Sequence, residues 1–232
     1  MTSYVFPVAE TPSVAVRGQT ARYAVSRIFC VGRNYAAHAR EMGSDPTREP
    51  PFYFTKPPSA ITPSGSTISY PPGTKNLHYE MELVIAIGAP VFKVTPEAAR
   101  AAVWGYAAGL DMTRRDLQNE AKATGRPWDT GKSFENSAVI TEIIRVQDIG
   151  WLDKGAITLA VNGTEKQRGD LSDMIWSVPE VVANLSQFYH LQAGDLIYTG
   201  TPEGVGPVVA GDVITGQIEG LANLSLTLGP AA

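Results

Sequence analysis

Apolar residues along the chain fall into short runs that are continuous or alternate with polar positions, as in β-strands. Two runs stand out, a nearly unbroken one over 77–87 and a second over 103–110. The remaining strands are predicted at 27–31, 52–54, 67–69, 157–161, 164–168, 195–199, 212–217 and 223–228. Asn162-Gly163 separates two of these runs and predicts a tight hairpin turn.

Helical patterns are fewer and short. We predict helices over 36–42, from Pro96 onwards, from the Thr113–Asp116 capping motif to about residue 125, and over 178–189. Asn34 is expected to cap the first of these helices and Gly43 to end it. The mixture predicts an α+β fold that is rich in β-structure.

Composition narrows the class of protein. Apolar residues make up 44% of 232 residues, which is enough for a core, and 22 Gly with 17 Pro indicate many tight turns. A net charge of −4 argues against a nucleic-acid binder, since such proteins need a basic surface. No change in composition marks a linker, so we expect an extended lead-in over residues 1–25 and a single domain over 26–232.

The single cysteine, Cys30, excludes an internal disulfide, and its apolar surroundings favour a small core residue over a nucleophile. The most apolar segment, 83–92, is too short to cross a bilayer, and the start of the chain lacks the pattern of a signal peptide. We therefore expect a soluble protein of the reducing cytoplasm, with no membrane partner.

Acidic residues provide the first candidate chemistry. Glu80 and Glu82 are two apart on a predicted strand and therefore share a face. Either they are buried and paired with cationic groups, or they lie at a solvent-exposed end of the strand. Asp111 follows the apolar run 103–110 and is either a turn residue or a third carboxylate. Three carboxylates would suit a hard divalent ion, with Mg²⁺ expected and Mn²⁺ or Ca²⁺ as alternatives.

His38 and Glu41 lie three apart on the first predicted helix and therefore share a face. They form either a proton-accepting pair, in which the carboxylate orients the imidazole, or an ordinary exposed pair. Lys132, after a loop-like stretch, could stabilise an oxyanion or be solvated. The glycines of 199–206 allow backbone to approach a ligand closely, or simply form a tight loop.

Taken together, the order of these motifs resembles the fumarylacetoacetate hydrolase family, from about residue 26 to the C-terminus. The matching stretches are Cys30-Val31-Gly32-Arg33-Asn34-Tyr35 with His38 and Glu41, His78-Tyr79-Glu80-Met81-Glu82, 109–116, Gly131-Lys132-Ser133-Phe134, Asp173-Met174-Ile175 and 199–206. The resemblance implies a mixed β-roll of the family's C-terminal domain type and a homodimer.

The resemblance also implies roles for individual residues. It implies Mg²⁺ or Mn²⁺ held by Glu80, Glu82 and Asp111, a water-activating dyad of His38 with Glu41, and an anion-stabilising Lys132. The implied substrate pocket contains Arg115, Gln118, Lys56 and Thr201.

The implied reaction is hydrolysis of a carbon–carbon bond in a small anionic 2,4-diketo acid, an acylpyruvate. Fumarylpyruvate of gentisate breakdown, part of aromatic catabolism, is the expected substrate. Three alternatives remain open at this point. The protein could decarboxylate oxaloacetate, isomerise or hydrate an unsaturated keto acid, or bind a metal or small ligand without catalysis.

Overall fold

The computed structural model describes residues 3–41 and 49–231, and strands dominate this part of the chain. The strands are β1 (Ser13–Val14), β2 (Tyr23–Ala24), β3 (Arg27–Gly32), β4 (Phe52–Lys56), β5 (Ile61–Pro63), β6 (Ser66–Tyr70), β7 (Leu77–Tyr79), β8 (Met81–Ile87), β9 (Val103–Asp111), β10 (Thr113–Arg114), β11 (Ala138–Ile140), β12 (Ile144–Arg145), β13 (Ala156–Val161), β14 (Thr164–Asp170), β15 (Asp195–Tyr198), β16 (Gly206–Val208), β17 (Val213–Ile218) and β18 (Leu224–Ala231).

Helices are short and connect the strands. They are α1 (Ala36–Glu41), α2 (Pro96–Ala99), α3 (Arg115–Thr124), α4 (Asp129–Lys132), α5 (Val146–Ile149) and α6 (Val178–Leu185). Three short 3₁₀ helices cover Pro58–Ala60, Arg100–Ala102 and Leu171–Asp173. Among the described residues, no helix is both long enough and apolar enough to span a membrane.

The strands form two large sheets and two small ones. The largest has the order β4-β3-β15-β8-β9-β11-β5 with β12 also on β9, and the second has the order β14-β13-β17-β18-β6. β10, β7 and β16 form a three-stranded sheet, and β1 pairs with β2. Most neighbours are antiparallel, but β3 with β15, β5 with β11 and β6 with β18 are parallel. This curled, mixed sheet arrangement confirms the predicted strand-rich α+β fold of the β-roll type.

Strand β8 is buried on both faces, as its continuous apolar run predicts. Leu83 and Ile85 belong to the core shared with the five-stranded sheet, whereas Val84 and Ala86 belong to a second core on the opposite face. Cys30 also lies in this second core and is fully buried, which confirms its predicted role. Burial on both faces means that any carboxylate on this strand is removed from water.

Residues 1–25 are predicted as an extended lead-in, and the described part from residue 11 makes specific contacts. The β1–β2 pair directs Val14, Val16 and Tyr23 into the second core. The Tyr23 hydroxyl donates a hydrogen bond to the carbonyl of Ile87 at 2.7 Å. The boundary at residue 25 stays a prediction.

Two predictions of element bounds were wrong. The run 77–87 is two strands that belong to different sheets, and the break falls at Glu80. After this break the N–H of Met81 donates to the side-chain oxygen of Gln167. The predicted helix over 178–189 ends at Leu185.

Two predicted helix caps do not form. Asn34 instead binds Trp176 and the carbonyl of Thr199, and the residue before α3 is Arg114, without a capping side chain. Thr113 points to the metal-site residues described below. Residues Met42 and Gly43, where the first helix was predicted to end, lie outside the described residues. The predicted end of α3 is confirmed, since Gly125 takes the left-handed conformation there.

Candidate metal centre and active site

Three carboxylates meet at one end of the β8–β9 pair. The antiparallel register sets Met81 opposite Leu110, and the N–H of Asp111 donates to the carbonyl of Glu80 at 2.9 Å. Carboxylate oxygens of Glu80, Glu82 and Asp111 lie within 4.8 Å of one another, and all three residues are buried. The structure thus brings together the three predicted metal ligands.

Glu80 is held by two cations. Lys132 Nζ donates to Glu80 Oε2 at 2.7 Å, and the Arg115 guanidinium pairs with Glu80 Oε1. Burial alone would raise the pKa of this carboxyl group, but the positive charges of Lys132 and Arg115 outweigh burial and hold the pKa well below its usual range. Arg115 is itself positioned by Gln118 Oε1 at 2.5 Å and by His78 Nδ1 at 3.5 Å.

Asp111 also meets two cations, although it lies deeper. Lys132 Nζ is 2.6 Å from Asp111 Oδ2, and Lys56 Nζ is 2.8 Å from Asp111 Oδ1. Lys132 completes its bonding with Thr113 Oγ1 at 2.7 Å. Burial opposes a charged Lys132, but attraction by Asp111 and Glu80 outweighs it and raises the pKa of the ammonium group. Lys132 therefore stays charged, and its three donor protons all have acceptors.

Glu82 is different, because no cationic side chain in the described part of the chain forms an ion pair with it. The N–H of Gly200 donates to Glu82 Oε2 at 2.8 Å. Burial and the neighbouring charges of Asp111 and Glu80 raise the pKa of this carboxyl group well above its usual range. Gly200 is required for the contact, because its φ of +96° favours glycine and an added Cβ would lie 2.9 Å from Asn34 Cβ.

The donor set fits a hard divalent cation. All three groups are carboxylates, and a cation between them would relieve the repulsion that acts on Glu82. When all three carboxyl groups are ionised, Lys132, Lys56 and Arg115 balance their negative charges. A divalent ion would therefore make the cluster net positive, which suits an anionic ligand.

The predicted dyad also forms. His38 Nδ1 lies 3.2 Å from Glu41 Oε2, and the N–H of Gly204 lies 3.2 Å from both oxygens of Glu41. Because a carboxylate only accepts hydrogen bonds, Nδ1 carries the proton and Nε2 keeps its lone pair. Burial lowers the pKa of His38 below 6.5, despite the nearby charges of Glu80 and Glu41. The imidazole is therefore neutral at neutral pH and can accept a proton.

A cavity joins these groups. It is lined by His38, Glu80, Glu82, Arg115, Gln118, Lys132, Gly200 and Thr201, and by aromatic and cationic residues at its mouth. Lys56, Asp111 and Glu41 lie behind this lining, each bonded to a residue that faces the cavity. All ten predicted site residues thus converge on one place in the fold.

Sequence reasoning missed one positioning residue, Gln167. It is buried, and its amide nitrogen donates to Thr201 Oγ1 at 2.9 Å and to the carbonyl of Pro202 at 2.8 Å. Its oxygen accepts the Met81 N–H, so one side chain joins the loop after β15 to the break beside Glu80. Its neighbours on β14 are exposed and polar, and nothing in that pattern distinguishes it.

Comparisons with known proteins agree with this geometry. Residues 27–228 match the family model described as fumarylacetoacetate (FAA) hydrolase, C-terminal. A fumarylpyruvate hydrolase of Ralstonia sp is 57% identical over 187 residues, which cover 81% of this chain and 97% of that protein. The mitochondrial oxaloacetate tautomerase FAHD1 of Homo sapiens is 44% identical over 198 residues, which cover 85% of this chain and 89% of that protein.

A solved structure is also closely similar. Fumarylpyruvate hydrolase from Pseudomonas aeruginosa, in complex with Mn²⁺ and pyruvate, superposes with a TM-score of 0.95 at 48% identity. The match covers 98% of this chain and all of that one. That protein therefore binds a divalent metal and a small keto acid on the same fold.

Proposed function

The chain belongs to the fumarylacetoacetate hydrolase family, and we propose that it is a metal-dependent hydrolase that cleaves acylpyruvates, with fumarylpyruvate as substrate and fumarate and pyruvate as products. The observation that carries this proposal is the neutral His38 imidazole, paired with the Glu41 carboxylate, beside the buried triad of Glu80, Glu82 and Asp111. The 57% identity to a fumarylpyruvate hydrolase supports the choice of substrate.

The triad would hold the metal, which we propose to be Mg²⁺ or Mn²⁺. Bound there, a divalent ion polarises a keto oxygen and stabilises the negative charge that develops as the pyruvyl group leaves. Mn²⁺ in the Pseudomonas aeruginosa structure supports the choice among hard ions. Ca²⁺ is a third candidate that the same oxygen donors allow.

The dyad activates water. His38 Nε2 takes a proton from a water molecule, while Glu41 accepts the Nδ1 hydrogen bond and stabilises the imidazolium that forms. The resulting hydroxide attacks the keto carbon of the acyl group, which is bonded to the pyruvyl methylene. The bond between the acyl carbon and the pyruvyl methylene then breaks, and pyruvate leaves as its enolate, whose carbon takes up the proton held by the His38 imidazolium.

Cationic side chains stabilise the anions that form. Lys132 is charged and lies among the carboxylates, so it can donate to a developing oxyanion once it exchanges one of its three present acceptors. Arg115 and Gln118 line the same cavity and would bind the substrate. Thr201 also lines this cavity, and its hydroxyl is positioned by Gln167.

The test is an ultraviolet assay with purified protein and Mg²⁺, offered fumarylpyruvate, acetylpyruvate and oxaloacetate. We expect loss of the diketo absorbance with equimolar fumarate and pyruvate from the first substrate, and no turnover after EDTA treatment. Enol–keto interconversion of oxaloacetate without acylpyruvate cleavage would instead assign the chain to the tautomerase activity for which more distant relatives are named, and release of carbon dioxide would indicate a decarboxylase. Tight metal binding without any turnover would indicate a binding module.

The same resemblance supports proposals for the cellular location, the oligomeric state and the pathway. We propose a cytoplasmic homodimer that acts in gentisate breakdown. Light scattering of the purified protein tests the dimer, since a monomer mass of 24.8 kDa at working concentration would contradict it.

A further inference from the structure

Two cations at the mouth of the cavity are not used by the triad or the dyad. Arg33 and Lys122 both line the cavity, and within the described part of the chain neither forms an ion pair with a carboxylate. The three cations deeper in the site differ, because each contacts Glu80 or Asp111. The mouth therefore carries positive charge that no described acidic side chain balances by contact.

Aromatic rings hold both cations in place. The Arg33 guanidinium lies 5.5 Å from the centroid of the Phe52 ring, and Lys122 Nζ lies 5.1 Å from that of Trp128. The two rings contact each other edge to face at 5.3 Å. Phe52 in turn occupies the space that a side chain at Gly32 would fill. The result is a continuous arrangement of cation, ring, ring and cation along one wall.

The backbone also aims Arg33 at this position. Its φ of 61° lies in the left-handed region, which costs a residue with a Cβ of order 1 kcal/mol. A conformation of this kind persists where the surroundings determine it. Here it places an arginine beside the cavity rather than continuing the extended path of β3.

Lys122 shows the effect of this unbalanced charge. Burial, together with the positive charges of Arg115 and Arg33, lowers the pKa of its ammonium group to about 8. An anion bound between Arg33 and Lys122 would oppose the part of this lowering that comes from the neighbouring positive charges. The site at the mouth is thus built for a negatively charged group.

We infer that Arg33 and Lys122 form a second anion site, which binds a carboxylate at the distal end of the acyl group. The inference rests on the proposed function and specifies its substrate class: acylpyruvates whose planar acyl group ends in a carboxylate. The rings of Phe52, Phe54 and Trp128 line the space between the two ends and suit a flat conjugated chain. A diketo acid with a methyl end leaves Arg33 and Lys122 unpaired.

The test compares substrates that differ at the distal end. We expect Arg33→Met and Lys122→Met to lower kcat/KM for fumarylpyruvate by about 10- to 100-fold, mostly through KM, since each removes a charge-assisted hydrogen bond. For acetylpyruvate the same variants should change kcat/KM by less than about threefold. Arg33→Lys should restore part of the loss on fumarylpyruvate.

Matched controls exist elsewhere on the surface. Arg100 lies over the Trp151 ring at 4.0 Å and Lys93 over the Phe92 ring at 5.1 Å, both away from the cavity. Arg100→Met and Lys93→Met remove the same charge and ring contact and should leave both substrates unaffected.

A binding experiment tests the inference independently of the proposed function. In the His38→Ala variant with Mg²⁺, calorimetry measures binding of acetylpyruvate and of succinylpyruvate, its analogue with a distal carboxylate. Tighter binding of succinylpyruvate, lost in the double variants with Arg33→Met or Lys122→Met, supports the site even if the wild type cleaves neither compound. Equal losses for both ligands, no loss for either, or discrimination that depends on Arg126 in the adjoining cavity would overturn it.

Discussion

Replacing one carboxyl group of the triad by an amide should have opposite effects on stability at two of its positions. Asp111 contacts Lys132 and Lys56, at 2.6 and 2.8 Å, whereas the one hydrogen bond of Glu82 among the described residues comes from the Gly200 N–H. We therefore predict that Asp111→Asn destabilises the metal-free protein and that Glu82→Gln does not. Both substitutions change a proposed metal ligand and should abolish tight metal binding.

The magnitudes follow from these contacts. Asp111→Asn leaves two buried ammonium groups short of a partner, and breaking a buried ion pair costs about 3–5 kcal/mol. In a chain of this size that lowers Tm by roughly 6–20 °C. An ionised Glu82 would be repelled by each of two carboxylates within 4.8 Å by about 3 kcal/mol at an effective dielectric constant of ~20, before the lysines offset it, so Glu82→Gln removes a group that is costly to ionise.

Glutamine keeps the one hydrogen bond that Glu82 makes, since its amide oxygen can accept from Gly200. We expect the free energy of unfolding of Glu82→Gln to lie between the wild-type value and about 2 kcal/mol above it. Thermal unfolding in EDTA measures both variants, and calorimetric titration with Mn²⁺ measures the loss of binding. Glu165→Gln, at an exposed carboxylate, is the control for the chemical change. Equal destabilisation of both variants, or Mn²⁺ binding of wild-type strength in Glu82→Gln, would refute the reasoning.

Three further predictions concern catalysis. His38→Ala should lower kcat by about 10²–10⁴ while calorimetry still shows wild-type Mn²⁺ affinity; weakened metal binding would place His38 in the metal site instead. The imidazole must be neutral to accept a proton, and burial holds its pKa below 6.5. We therefore expect kcat/KM to rise with pH through that lowered pKa and to be flat from about pH 7. A rise in kcat/KM centred above pH 6.5 would contradict the assignment of His38. Lys132→Ala should lower kcat by about 10²–10³, measured on protein confirmed as folded by circular dichroism, and unchanged kcat would remove Lys132 from the mechanism.

The sequence predicts those parts of the fold that depend on local pattern. The alternating run before Asn162-Gly163 folds as the expected hairpin, with both turn residues at positive φ. The continuous apolar run of β8 is buried on both faces as expected. In these elements the side-chain period and the turn chemistry determine the structure without help from distant residues.

Local motifs failed where tertiary partners compete for the same atoms. Asn34 satisfies its amide on Trp176 and Thr199 rather than on a helix end, and Thr113 turns its hydroxyl to Lys132. The strand break at Glu80 depends on Gln167, 86 residues from Met81. No spacing rule contains such a contact.

The candidate site was predicted mainly by resemblance rather than by spacing. Periodicity places Glu80 and Glu82 on one face, but Lys132 reaches Glu80 across 52 residues through the packing of α4. Arg33 and Lys122 carried no local signal of a ligand, because only the folded chain shows that they lack acidic partners among the described residues, whereas Lys56, Lys132 and Arg115 have them.

Hydrolysis of fumarylpyruvate in ¹⁸O-labelled water shows where the solvent oxygen goes, because water activated by His38 must attack the keto carbon of the acyl group. Mass spectrometry of an early time point should find one solvent oxygen in a carboxylate of fumarate and none in the carboxylate of pyruvate. Fumarate without solvent oxygen, or conversion of the substrate without release of fumarate and pyruvate, would contradict the account.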